Sequence, residues 1–328
     1  MSTRDTLLAS IAHTIGDYRV SEVSQPTPAH VDRWVRQFEE DSQRAILREM
    51  DRALESTYIP RGEMTGFLAQ VSHASEPSGA DAARFWRRAN LLDIQLGGNS
   101  QRELLTMFAT TLRSEHGLEA ASCGSEGGSY VYLDDALFTG NRLIRDVTRW
   151  LSALSVRRAT LTIVVYASHQ QGEEYANRMI ERAAVRAGVD LTVTWWRRKS
   201  LENRDICVDD ADVLRPRSLG DDPSVQAYAS GLRHRPILRR SAGVGGAGVF
   251  SSPHNRDVLE NAFLTAGVRI RSRYPQRMSY LRPLGYSKLD NLGFGSLLVT
   301  FLNCPNTAPL TLWASDPWYS LFPRRTNR

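Results

Sequence analysis

The sequence is short of cysteine, of lysine and of long apolar runs. Its three cysteines, Cys123, Cys207 and Cys304, are widely separated and show no CxxC or Cys/His ligand spacing, which argues against both a disulfide framework and a zinc site. Of 41 basic residues, only Lys199 and Lys288 are lysines, and the formal net charge is +5. An arginine excess suits phosphate or nucleic acid through the planar guanidinium fork, but a GC-rich genome produces the same bias, so charge alone selects no partner. No run approaches the ~18 apolar residues of a membrane-spanning helix. The opening MSTRDTLLASIAHTIGDYRV lacks the apolar core and cleavage pattern of a secretory leader, so a cytoplasmic location is expected. Internal repeats and low-complexity tracts are missing too.

What is present is an ordinary globular composition, 41% hydrophobic and 23% charged over 328 residues, enough for one large domain or two modest ones. In residues 31–72 the apolar positions Val31, Trp34, Val35, Phe38, Ala45, Ile46 and Met50 recur at helical spacing, with Trp34 and Phe38 expected in a core. The segment 72-SHASEPSGADA-82 reads as a linker. Strands and helices then alternate. The spacing predicts strands at Leu91–Leu96, Tyr130–Leu133, Thr160–Tyr166 and Leu191–Trp196, and helices at Gln101–His116, Asn141–Val156 and Glu173–Ala187. Successive β-α-β units imply a parallel sheet covered by helices, a doubly wound α/β core. The expected layout is a helical segment (1–80), an α/β core (81–215) and an aromatic-rich C-terminal extension packing on that core (216–328).

The stretch with most chemistry is 129-SYVYLDDALFTGNRLIRDV-147. Ligands of open parallel sheets bind beyond the carboxyl ends of the strands. Asp134 and Asp135 are placed there, followed by Gly140 and a helix start with free N–H groups. Carboxylates facing an anion-receptive helix start suit a sugar phosphate: the acids accept from vicinal hydroxyls and the turn holds the phosphate. A hard cation such as Mg²⁺ would prefer the same oxygens. The bland reading makes the aspartates turn caps and Thr139 an N-cap. A second loop, 97-GGNS-100, either cradles a pyrophosphate through the amides of Gly98, Asn99 and Ser100, or holds Ser100 as an N-cap in a capping box with Glu103. His169, on the same sheet edge as Asp135, could serve as an acid or base, but is read as a solvated loop histidine. Gly243, Gly245 and Gly248 fit GxGxxG without a preceding strand, so a dinucleotide site fails its own context. Arg197, Arg198 and Lys199 are the best local nucleic-acid contacts, or equally a solvated strand edge.

The string YVYLDDALFTGNRL resembles the phosphoribosyl-diphosphate motif of type I phosphoribosyltransferases: four apolar residues, two acids, two apolar residues, a variable position, then Thr-Gly. That resemblance implies that Asp134 and Asp135 bind ribose hydroxyls and Mg²⁺. It makes Thr139, Gly140, Asn141 and Arg142 the 5′-phosphate loop. Phe138 stands where purine-using members often carry a catalytic Asp, and Arg142 replaces a usual Thr. The C-terminal strings RPLGY, NLGFGSLLVTFLNCPNTAPLTLW and WYSLFPR, with the Trp34 and Phe38 helix and 97-GGNSQRELL-105, resemble the phosphoribosyltransferase-like domain of bacterial conflict systems, PRTase-CE, over residues 31–328. The implied partners are phosphoribosyl diphosphate or a nucleotide-like ligand and the proteins or nucleic acid of an antiviral defence locus. The implied chemistry, if any, is transfer at the anomeric carbon. The alternative is a non-catalytic module that senses a nucleotide or contacts nucleic acid or a protein through a modified pocket.

Overall fold

A computed structural model describes residues 3–74, 81–97, 100–203, 211–240, 249–274, 280–288 and 291–324. By compactness the chain divides into two units: residues 62–201, and residues 1–61 together with 202–328.

The helices of the described residues are α1 (Thr3–Thr14), α2 (Pro28–Val35), α3 (Glu40–Thr57), α4 (Arg61–His73), α5 (Ala82–Arg88), α6 (Ser100–His116), α7 (Asn141–Ala153), α8 (Gln170–Ala187), α9 (Pro223–Ser230), α10 (Pro253–Arg271) and α11 (Leu310–Trp313). The strands are β1 (Tyr58–Ile59), β2 (Asn90–Leu91), β3 (Tyr130–Leu137), β4 (Arg158–His169), β5 (Asp190–Leu201) and β6 (Val299–Thr300).

The 62–201 unit is an α/β fold on a four-stranded parallel sheet of order β2-β3-β4-β5. Strand β4 is an apolar run buried along nearly its whole length, as a central parallel strand must be when helices cover both faces. In register, Tyr132 lies beside Ile163 and Asp134 beside Val165, so these side chains share a face. Tyr132, Ile163 and Val165 pack there with Leu143, Val147 and Leu151 of α7 and with Ala176, Ile180 and Ala183 of α8. Tyr166, on the other face of β4, packs edge-on against Phe67 of α4 with ring centroids 5.3 Å apart. Strand β5 is an edge, and its polar residues are mostly solvated.

Three element boundaries differ from expectation. The strand predicted over Leu91–Leu96 pairs only at Asn90–Leu91 and through the Leu92 N–H to the Val131 carbonyl. It stops because the next amides, of Ile94 and Gln95, donate instead to the Gln101 side-chain oxygen at 3.0 and 2.8 Å. Strand β3 runs on to Leu137, because Ala136 and Leu137 are buried and continue the ladder; both aspartates are therefore inside the strand and not beyond it. His169 is the last residue of β4 and fully buried, not a solvated loop residue.

The other unit joins both ends of the chain. Here β1 and β6 pair in parallel, Tyr58 beside Val299. Trp34 and Phe38 are core, as expected: Trp34 meets Phe38 and Phe263 edge-on, and Phe38 meets Trp318 at 5.4 Å. Buried indole N–H groups need acceptors. Trp34 and Trp318 both donate to the Thr311 carbonyl, at 2.8 and 2.9 Å, and Trp313 donates to the Ala308 carbonyl at 2.7 Å. Cys304 is fully buried there, and burial pushes its thiol up to about 12, which removes it as a nucleophile.

Candidate ligand site around Asp134

The site is built on β3, the start of α7, and the segment leading into α6. Asp134 Oδ1 accepts from the Ser100 hydroxyl at 3.1 Å and from the Asp135 N–H at 3.0 Å. Its Oδ2 accepts from Gln95 Nε2 at 3.1 Å, with the Tyr132 hydroxyl at 3.5 Å. The Ser100 hydroxyl therefore bridges to Asp134; it is spent on a carboxylate within the site. Burial raises the Asp134 carboxyl well above the ordinary carboxylate range, the neighbouring Asp135 raises it further, and Arg142 offsets part of the rise. Tyr132 is also raised, first by burial and then by the charges of Asp134 and Asp146. Asp135 is buried, and its Oδ1 accepts the Ala136 N–H at 2.9 Å.

The loop that follows is held by two glycines. Gly140 has φ 75°, in the left-handed region, and a Cβ there would stand 2.7 Å from the Gly172 carbonyl oxygen. A Cβ on Gly172 would stand 1.8 Å from the Phe138 carbonyl oxygen, so the 138–140 backbone lies directly against the first turn of α8. The Phe138 ring packs on the His169 imidazole at 5.3 Å. The Thr139 hydroxyl accepts from Asn141 Nδ2 at 2.9 Å. Helix α7 begins with no side-chain cap and no acid in its first turn, whereas α2, α5, α9 and α10 are capped by Thr27, Asp81, Asp222 and Ser252. Arg142 sits exposed in that open first turn, where a cation opposes the helix dipole unless an anion joins it.

Asp134, Asp135, Ser100 and the Thr139–Arg142 loop thus come together in one unit. Gly98 and Asn99 lie outside the described residues, as do Cys207 and Gly243, Gly245 and Gly248. Arg197 pairs with Glu173 at 3.2 Å and Arg198 with Gln70 at 2.9 Å, so the strand-edge cations are largely used within the unit. Gln95, Gln101, Tyr132 and Gly172 were not singled out by the sequence: no spacing marks a side chain that turns back on its own loop, or a glycine that meets a loop in space.

The donors suit a hard divalent cation of the Mg²⁺ type, which takes one or two carboxylates and completes its shell with water and substrate phosphate. Among the described residues no group of three or more His, Cys, Asp or Glu is arranged as a metal cage. Asp134 and Asp135 would hold the ion together with a ligand. Among the described residues no helix is long and apolar enough to cross a membrane.

A family model for PRTase-CE matches residues 31–324. No curated protein and no solved structure matches the chain.

Proposed function

The chain belongs to the PRTase-CE family and carries its phosphoribosyltransferase-like domain, and from that premise we propose that it binds a phosphoribosyl or nucleotide ligand at Asp134, Asp135 and the Thr139–Arg142 loop, with Mg²⁺, as an effector or accessory of a bacterial antiviral defence system. The observation that carries this reading is the juxtaposition of opposite preferences. Two acids for hydroxyl donors stand beside an uncapped helix start with an exposed arginine for an anion.

The ligand's 5′-phosphate would take backbone amides of the Gly140–Arg142 turn and the Arg142 guanidinium, which binds phosphate bidentately. Ribose hydroxyls would donate to Asp134 and Asp135. The bound cation would neutralise charge on a leaving diphosphate. Phe138 turns its ring onto His169 and offers no acid at the position where purine-using relatives often have one, which favours, as a second reading, a module that binds without turnover.

Isothermal titration with phosphoribosyl diphosphate and Mg²⁺, alongside the Asp135→Asn variant, tests the site. Saturable binding lost in the variant supports it. Equal binding by both proteins would remove Asp135 from the site, and product formation over time would separate transfer from sensing.

A further inference from the structure

Asp134 presents a difficulty for its own proposed ligand. A carboxylate offers about four lone-pair positions. Ser100, the Asp135 amide, Gln95 and, more distantly, Tyr132 already occupy them. A ribose hydroxyl can reach Asp134 only after a side-chain donor leaves, and Gln95 is carried on the segment 94–96.

That segment is gripped from α7. Arg149 Nη2 donates to the Ile94 carbonyl and Arg145 Nη2 lies 3.5 Å from the Leu96 carbonyl. Between the two arginines lies Asp146, fully buried, with its Oδ1 3.5 Å from Arg145 Nε and 3.7 Å from Arg149 Nη2. Neither Asp146 oxygen receives a hydrogen bond. An acid in such a setting costs free energy unless its charge does something. Here it supplies the counter-charge that keeps two otherwise solvated guanidiniums folded back onto the carbonyls of 94 and 96. From the inner side, the Gln101 side-chain oxygen holds the amides of Ile94 and Gln95.

We propose that Asp146, Arg145 and Arg149 form a clasp that holds Gln95 on Asp134 and thereby controls access of ligand hydroxyls to that acid. Asp146 is a positioning residue: it acts through the two arginines. The clasp is weak by construction, since the side chains of Arg145 and Arg149 are 58% and 41% exposed and half-solvated ion pairs contribute little. A ligand that brings its own hydroxyl donors can therefore open it. The inference rests on the phosphoribosyl reading of the site for its ligand, but the clasp itself has a ligand-free readout.

The test uses the full chain with ribose 5-phosphate as probe, titrated into wild type, Gln95→Ala, Arg149→Ala, Asp146→Asn and Asp135→Asn. Gln95→Ala, Arg149→Ala and Asp146→Asn are expected to bind roughly five-fold tighter than wild type, the scale of one half-exposed ion pair or hydrogen bond removed from the competition. Hydrogen exchange is measured on the same proteins without ligand. The Ile94 and Gln95 amides should exchange about ten-fold faster in Arg149→Ala and Asp146→Asn, with the amides of α8 unchanged. Binding equal to or weaker than wild type in these three variants, while Asp135→Asn still abolishes it, overturns the clasp and leaves the ligand reading intact. Unchanged exchange at 94 and 95 overturns the clasp whatever the binding shows. Failure of ribose 5-phosphate to bind any of the proteins overturns the ligand reading and the access role with it, even if exchange accelerates.

Discussion

Glu260 and Asp146 are both fully buried acids flanked by arginines, one in each unit of the chain, and they are treated in opposite ways. Glu260 Oε1 accepts from the Arg215 N–H at 2.8 Å and from Arg256 Nε at 2.9 Å, and its Oε2 accepts from Arg239 Nη2 at 3.1 Å. Arg256 and Arg239 extend the network to the carbonyls of Ala211, Val213 and Arg215. Every strong acceptor position is filled, and the cluster ties the 211–217 and 239 segments onto α10. Asp146 has comparable burial and two guanidiniums within 3.7 Å, yet neither of its oxygens is hydrogen-bonded. A satisfied buried charge fixes one structure; an unsatisfied one leaves its partners available for other contacts.

The comparison breaks most visibly at Glu260. Arg256→Met removes one of the two guanidiniums that hold that carboxylate and frees the carbonyls of Ala211 and Val213, and a loss of about 3–5 kcal/mol is expected in denaturant unfolding of the whole chain. A loss below about 1 kcal/mol would mean the network is no more structural than Asp146. Next in size is Gly172→Ala. Its methyl would collide with the Phe138 carbonyl, so the loop must shift at a cost of about 1–3 kcal/mol, with phosphate binding at Thr139–Arg142 lost as well. Stability unchanged in that variant would show that the loop gives way freely.

The smallest effect is at Asp146. Asp146→Asn should leave stability within about 1 kcal/mol of wild type near neutrality, because it removes an unsatisfied charge and not a bonded one. The pH dependence sharpens this. Burial raises the Asp146 carboxyl from its ordinary 3.8, against the opposing pull of Arg145 and Arg149. A group raised on folding contributes stability that is fully present below 3.8 and lost as pH climbs through its folded value. Wild-type stability relative to Asp146→Asn should therefore decline with rising pH across that window, as read by thermal unfolding at a series of pH values. A difference that stays flat or grows with pH would show that Arg145 and Arg149 outweigh burial at Asp146 and that its charge is satisfied after all.

The parts of the fold that announced themselves in the sequence are those where one physical requirement dominates locally. The apolar run of β4 and the helical spacing of Val31, Trp34 and Val35 gave strand and helix because burial of a face leaves few alternatives. The two aspartates and Thr139-Gly140 were legible as a candidate site because an acid pair beside a glycine turn and a helix start is an arrangement a sugar phosphate suits. Their setting inside β3 was not legible, since the burial of Ala136 and Leu137 is decided by the neighbouring strand. Nor was the role of Gln95, whose side chain reaches Asp134 only because Gln101 ends the preceding strand early. Long-range choices of this kind escape a reading that sees only neighbours along the chain.

The indoles of Trp34 and Trp318 share the Thr311 carbonyl, and Trp34 lies 277 residues before that acceptor. During synthesis from the N-terminus, the helices of residues 1–61 can pack on one another early, but they must wait for nearly the whole chain before their C-terminal partners exist. The intervening residues 62–201 are contiguous, with each strand pairing next to its successor in sequence, and can complete their sheet while the rest is still being made. Folding order then runs from the middle outward: the unit of the parallel sheet is assembled first, and the aromatic unit closes last.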